Sequence, residues 1–220
     1  MYYPCSQSAA GSFLLVISVN MDYNLIIRGE SMNKKQMIEQ LEEHPIVAAI
    51  KNDAQLEKCI KSDCKIVFVL YGSINTISDI TARLKAAGKK AFVHIDLIDG
   101  LSPREATVEF VAKEVCPDGI ISTKLPLIKC ARAYNLITVM RIFMIDSMAM
   151  ASVERFYKED CVDFIEILPG LMPKIIKAIK KKTKKPIIAG GLISDKDDIV
   201  TALGAEAIAI SSTNESVWFM

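Results

Sequence analysis

A few polar residues interrupt the apolar segments of this chain, and their types suit chemistry on a small phosphorylated molecule. His94 and Asp96 stand two residues apart in one apolar run, so they share side-chain parity and face one side of a strand. Arg141 and Glu166 each lie inside another such run, Lys51 and Lys124 come at the ends of runs, and Asp146 and Ser147 lie in the loop after the run at 137–143. Carboxylates beside a lysine can serve acid–base catalysis or hold hydroxyl groups. Two further stretches suit a phosphate: Gly190-Gly191 closes one run, and Ser211-Ser212-Thr213 closes the next, ahead of a short helical stretch. Glycine lets the backbone approach an anion, and N–H groups at a helix start donate to it. Plain readings stand beside these. Gly-Gly also makes ordinary turns, Arg141–Glu166 is also the pattern of a satisfied buried ion pair, and His94 reads equally as a hydrogen-bonded core histidine.

A third constellation is basic. Lys174, Lys177, Lys180, Lys181, Lys182, Lys184 and Lys185 crowd a segment, 171–185, that contains no acid. Positions 174, 177, 181 and 184 fall on one face of a helix. That face is either a solvated exterior or a footprint for nucleic-acid phosphates. Metal chemistry finds no support. The six cysteines, Cys5, Cys59, Cys64, Cys116, Cys130 and Cys161, form no C-x-x-C pair, and the two histidines, His44 and His94, stand apart. A disulfide framework does not suit a chain with this much core, so most of the cysteines read as small buried hydrophobes in a reducing cytoplasm.

These residues need elements to position them. Apolar runs begin at 46, 66, 91, 119, 137, 164, 186 and 207, and each precedes a helical pattern. Helices are predicted at 76–87, 103–115, 127–134, 148–158, 173–182 and 196–203, with Ser102 capping the second and Pro103 at its first position. The runs at 67–70 and 187–189 are apolar on both faces, as in parallel strands covered on both sides. Eight such units predict an α/β fold, a (β/α)8 TIM barrel. Only 214–220 follows the last strand, so the last helix is stunted, and a helix at 33–43 fills that gap or covers the barrel floor. A doubly wound sheet is the alternative, but the first strand–helix turn, 51–54, has no glycine-rich phosphate fingerprint. In a barrel, charged residues within strands point inward or sit at the C-terminal mouth. This places Lys51, His94, Asp96, Lys124, Arg141 and Glu166 there.

Composition bounds the answer. The 27 basic and 26 acidic residues leave a net charge of +1, which excludes a histone-like tail and an acidic disordered chain. The mean hydropathy is +0.27, yet the leading apolar run, 13–19, is far shorter than the roughly 18–20 residues of a membrane span. Residues 1–31 carry one charge in 2–27, Asp22, and lack the basic start of a secretory signal. They are read as a non-native or disordered leader, with an extra strand or oligomer arm as the alternative. Residues 32–220 are read as a single barrel domain.

Five segments in order carry a resemblance: His-Ile-Asp-Leu-Ile-Asp-Gly at 94–100, Gly-Ile-Ile-Ser-Thr at 119–123, Arg-Ile-Phe-Met-Ile-Asp-Ser at 141–147, Phe-Ile-Glu-Ile-Leu-Pro-Gly at 164–170 and Pro-Ile-Ile-Ala-Gly-Gly at 186–191. Together they resemble the glycerol-3-phosphate-responsive antiterminator family, the GlpP proteins, from about His44 to Trp218. Lys124 departs from the residue usual there. The resemblance implies a non-enzymatic cytoplasmic barrel that senses glycerol 3-phosphate and prevents premature termination on leader mRNA of glycerol-utilisation genes. The expected site places the ligand's phosphate on Gly190, Gly191, Ser211, Ser212 and Thr213. Lys51, Asp96, Lys124, Arg141 and Glu166 are the ligand's polar contacts, with Arg141 and Glu166 near its polyol end, and Lys174, Lys177, Lys181 and Lys184 the RNA contacts. No catalytic residue, cofactor, metal or membrane is expected, and a homo-oligomer is compatible with the sequence. No RNA-recognition module is visible. Two other classes stay open: a phosphosugar isomerase or lyase using Asp96, Glu166 and Lys124, and a ligand sensor acting through a protein partner.

Overall fold

The computed structural model describes residues 32–220; the leader read at 1–31 lies outside the described residues. Eight parallel strands close into a barrel in sequence order. They are β1 Ile46–Ile50, β2 Ile66–Val69, β3 Lys90–His94, β4 Gly119–Ser122, β5 Ile137–Phe143, β6 Phe164–Leu168, β7 Ile187–Gly190 and β8 Ala209–Ser212. The helices are α1 Lys34–Glu43, α2 Asp53–Lys61, α3 Ile77–Ala86, α4 Glu105–Phe110, α5 Leu125–Ala133, α6 Ser147–Phe156, α7 Pro173–Lys180 and α8 Lys196–Leu203.

Alternation along the strands sorts the core into two clusters. Val47, Phe68, Phe92, Ile121, Val139, Phe164, Ile188 and Ala209 fill the barrel interior. Ala48, Val67, Val93, Ile120, Met140, Ile165, Ala189 and Ile210 point outward among the helices. Both sets are buried, which is why the strands read as unbroken apolar runs. Burying each large aliphatic or aromatic side chain contributes about 1.5–3 kcal/mol. Inside the barrel, Phe68 and Phe92 pack with ring centroids 5.9 Å apart.

Two elements close the ends. Asn33 starts α1 with a capping box, accepting from the Gln36 N–H while the Gln36 side chain accepts from the Asn33 N–H. Met37 and Leu41 of α1 are fully buried and join the interior cluster, so this helix covers the barrel floor rather than filling the missing helical position. A short 3-10 helix, Glu215–Phe219, stands where an eighth outer helix would pack. Trp218 anchors it, donating from Nε1 to the Ser212 carbonyl at 2.8 Å.

Two helix boundaries differ from expectation. Ser102 is not a cap: α4 begins at Glu105 after Arg104 and runs into a π-helical turn, Val111–Val115. The Ser102 carbonyl instead accepts from the Arg104 N–H at 2.8 Å and the Thr107 hydroxyl at 2.6 Å, folding 102–104 into a turn. Helix α7 ends at Lys180, and Thr183 beyond it is buried, its hydroxyl accepting from the Lys185 N–H.

A polar layer at the barrel mouth

Inward parity continues two residues beyond the apolar interior, toward the C-terminal ends of the strands. Phe92 is followed by His94, Val139 by Arg141, Phe164 by Glu166, Ile188 by Gly190 and Ala209 by Ser211. These form the top layer of the interior. Register aligns Arg141 with Glu166 and Gly190 with Ser211. Arg141 Nε donates to Glu166 Oε2 at 2.6 Å, and the Ser211 hydroxyl donates to Glu166 Oε1 at 2.6 Å. Glu166 is 0 % exposed and Arg141 6 %. A Cβ on Gly190 would lie 2.5 Å from Ser211 Oγ and 2.6 Å from Glu166 Oε1, so only glycine leaves room for this triad. Glu166 uses just the Nε of Arg141. The two Nη amino groups make no hydrogen bond among the described residues.

Asp96 sits in a 3-10 turn, Ile95–Leu97, directly after β3. It accepts from Ser122 Oγ (3.0 Å), the Thr123 N–H (2.7 Å), Thr123 Oγ1 (3.0 Å) and Lys124 Nζ (3.4 Å). Burial pushes its carboxyl up, but the Thr123 and Ser122 hydrogen bonds together with the neighbouring His94 outweigh it and hold the carboxyl below its usual range. His94 is 2 % exposed, and its Nδ1 is buried without a partner among the described residues. Burial, reinforced by the Arg141 charge, lowers the imidazole to about 4. It is therefore neutral at pH 7.

The loops after β7 and β8 form the other wall. Gly191 adopts φ +74°, a backbone conformation open to glycine. A Cβ there would meet Leu168 Cδ2 at 3.3 Å. Its carbonyl accepts from the Gly170 N–H at 3.1 Å, which ties the β6 and β7 loops together. No described acceptor takes the N–H of Gly191 or Thr213. The closed barrel sets β1 beside β8. Gln55 bridges them, accepting from the Lys51 N–H at 2.8 Å and donating to the Thr213 carbonyl at 3.1 Å. Lys51 is exposed and forms no ion pair among the described residues.

Several expected site residues hold the site rather than face its space. Ser212 points outward with Ile210; its hydroxyl donates to the Ile193 carbonyl at 2.7 Å and accepts from the Asn214 N–H at 3.0 Å, bracing the two loops. The Ser211 hydroxyl is donated to Glu166, and Lys124 is drawn to Asp96. The short helix after β8 is already capped: the Asn214 side chain accepts from the Ser216 N–H, and Glu215 in its first turn pairs with Lys58. Asp146 likewise caps α6, accepting from the Ala149 N–H at 2.9 Å. This leaves the Gly191 and Thr213 N–H groups, Lys51 and the Arg141 Nη groups, all at the C-terminal ends of the strands, without a hydrogen-bond or ion-pair partner among the described residues. The residues missed by the sequence reading are Ser122, Thr123 and Gln55.

The lysines divide. Lys182 pairs with Glu154. Lys185 donates to the carbonyls of Glu159 and Val162 at 2.9 and 2.6 Å, and burial lowers its ammonium. Lys174, Lys177, Lys181 and Lys184 are exposed and make no ion pair among the described residues. Lys184 does not share the helical face, because α7 has ended and 184 leads into β7 at the barrel floor.

The architecture is that of a (β/α)8-barrel protein with a layer of polar side chains at the C-terminal ends of its strands. Barrels at low identity share it, among them an N-acetylmannosamine-6-phosphate 2-epimerase from Clostridium perfringens (13 % identity, 80 % of this chain and 88 % of that chain covered, TM-score 0.60). More specifically, the profile of the glycerol-3-phosphate responsive antiterminator family matches residues 46–218, and the chain belongs to that family. It is 41 % identical over 182 residues to the uncharacterized protein YgcP of Escherichia coli K12, covering 83 % of this chain and 95 % of YgcP. Similar solved structures are a glycerol uptake operon antiterminator regulatory protein from Listeria monocytogenes and an antiterminator-related protein from Thermotoga maritima. The first shares 31 % identity at a TM-score of 0.77, covering 80 % of this chain and 95 % of that chain. The second shares 29 % at 0.69, covering 80 % and 98 %.

Proposed function

We propose that this protein senses glycerol 3-phosphate at the barrel mouth and acts as a transcription antiterminator on leader mRNA of glycerol-utilisation genes. One observation carries the ligand half. A buried arginine is anchored through Nε on Glu166, which also meets Gly190, while its Nη groups make no hydrogen bond among the described residues. That arrangement offers a fixed charged fork to an oxyanion. The ligand's phosphate takes these donors together with the Gly191 and Thr213 N–H groups and the Lys51 charge. Family membership supplies the regulatory half.

The same site argues against acid–base work. Asp96 accepts from Ser122, Thr123 and Lys124, and Glu166 from Arg141 and Ser211. Carboxylates so held are braces rather than proton carriers. RNA contact is assigned to the exposed Lys174 and Lys177 of α7 and to Lys181 at its C-terminal end.

Calorimetry with glycerol 3-phosphate tests the ligand, and absence of heat at millimolar ligand overturns it. Gly191→Leu, strained at positive φ and aimed at Leu168, is expected to weaken binding by at least about tenfold. Unchanged affinity would move the phosphate elsewhere. A gel shift with leader RNA, with and without ligand, tests the regulatory half. A product assay on phosphosugars is expected to stay blank.

A further inference from the structure

We propose that His94 reads the hydroxyl end of the ligand and makes the mouth select a polyol phosphate over an alkyl phosphate of equal length. This inference rests on the reading of the mouth as a phosphate site. In the closed barrel, β3 lies four strands from β7 in either direction, so the two stand on opposite walls. The donors proposed for the phosphate stand on β1, β5, β7 and β8, so the carbon chain of a ligand held there meets the wall that β3 and its His94 supply.

The far wall is not a passive surface. His94 ends β3 with inward parity, above Phe92. It is buried, and its Nδ1 lacks a partner among the described residues. Native structures rarely leave a buried ring nitrogen unpaired, because each lost hydrogen bond costs free energy. The neighbouring polar groups do not supply the partner. Asp96 is taken up by Ser122, Thr123 and Lys124, and Glu166 by Arg141 and Ser211. A neutral imidazole carries one donor and one acceptor, and a hydroxyl is the group that can answer either. An aliphatic end would leave the imidazole unpaired. The discrimination thus arises from an unsatisfied buried group, which penalises the ligand lacking the hydroxyl.

Calorimetry of the full chain with glycerol 3-phosphate, propyl phosphate and inorganic phosphate tests this. The wild type is expected to prefer glycerol 3-phosphate to propyl phosphate by about tenfold or more. His94→Leu is expected to erase that preference while leaving inorganic phosphate affinity within about twofold. His94→Phe keeps the ring shape without the nitrogens and serves where the leucine variant fails to fold by circular dichroism. A folded variant that retains the preference overturns the inference and leaves the phosphate reading intact. So does a wild type that binds both organic phosphates equally. A wild type silent to all three phosphates overturns the phosphate reading, and this inference with it.

Discussion

Glu166 is wholly enclosed, and its carboxylate is shared between Arg141 and Ser211. The pair is best understood as a mount: its desolvation is offset by the hydrogen bonds, and the benefit is a guanidinium held in one orientation. Removing one partner strands the other. Arg141→Leu is expected to destabilise the fold by about 3–5 kcal/mol in urea unfolding. Replacing Arg141 and Glu166 together by leucines is expected to recover a good part of that. Equal losses in the single and double variants would mean that the charge pair is not the cause. His94 makes a separate, pH-dependent contribution. Its imidazole falls from an ordinary 6.5 to about 4 in the fold, through burial and then the Arg141 charge. Between those values the unfolded chain takes a proton that the folded one refuses. Stability is therefore complete above pH 6.5 and is lost as pH falls toward 4, by about 3 kcal/mol across the window. Asp96 acts in the same direction but lower, because its carboxyl is already held below the usual range. Urea midpoints at pH 7 and 4.5 check this, and His94→Phe is expected to remove most of the difference.

Helix α1 belongs to the barrel because of two side chains. Met37 and Leu41 recur at helical spacing, are fully buried, and close the interior stack from below. Leu41→Ala is expected to cost about 2–5 kcal/mol, as for other buried leucines, without altering ligand affinity at the opposite end. A loss under about 0.5 kcal/mol would make α1 a surface appendage. The strands were legible because each is sealed on both faces. The runs beginning at 46, 66, 91, 119, 137, 164, 186 and 207 start within two residues of the strands observed. Helix starts were less legible where side chains chose other partners, as at Ser102, whose carbonyl serves Arg104 and Thr107. The site divides in the same way. His94, Arg141 and Glu166 were readable because a charge or ring inside a doubly covered strand has only the interior to enter. Ser211 and Ser212 looked alike in the sequence, yet alternation turns the first toward Glu166 and the second toward Ile193. Gln55 was invisible, since the carbonyl it binds at Thr213 lies 158 residues away and is brought near by barrel closure.

At the scale of the whole molecule, a net charge of +1 conceals an uneven distribution. Several bases are neutralised where they stand, Lys182 by Glu154, Lys129 by Glu159 and Lys58 by Glu215. Lys174, Lys177 and Lys181 are not, and they follow the exposed side of α7 from the mouth toward the floor. A phosphate backbone laid along that side would release about 0.7 counterions per contact if single-stranded. Changing the three lysines together to glutamine is therefore expected to lower the slope of log affinity against log salt by about 2 for a leader transcript. The same variant should keep wild-type stability to within about 0.5 kcal/mol per site, because exposed substitutions without partners rarely cost more. It should also keep its affinity for glycerol 3-phosphate, since α7 packs outside the strands while the donors proposed for the ligand lie at the strand ends. A slope that does not change, in a variant that still binds the transcript, would return this face to the role of a solvated helix exterior and place the RNA on another surface of the barrel.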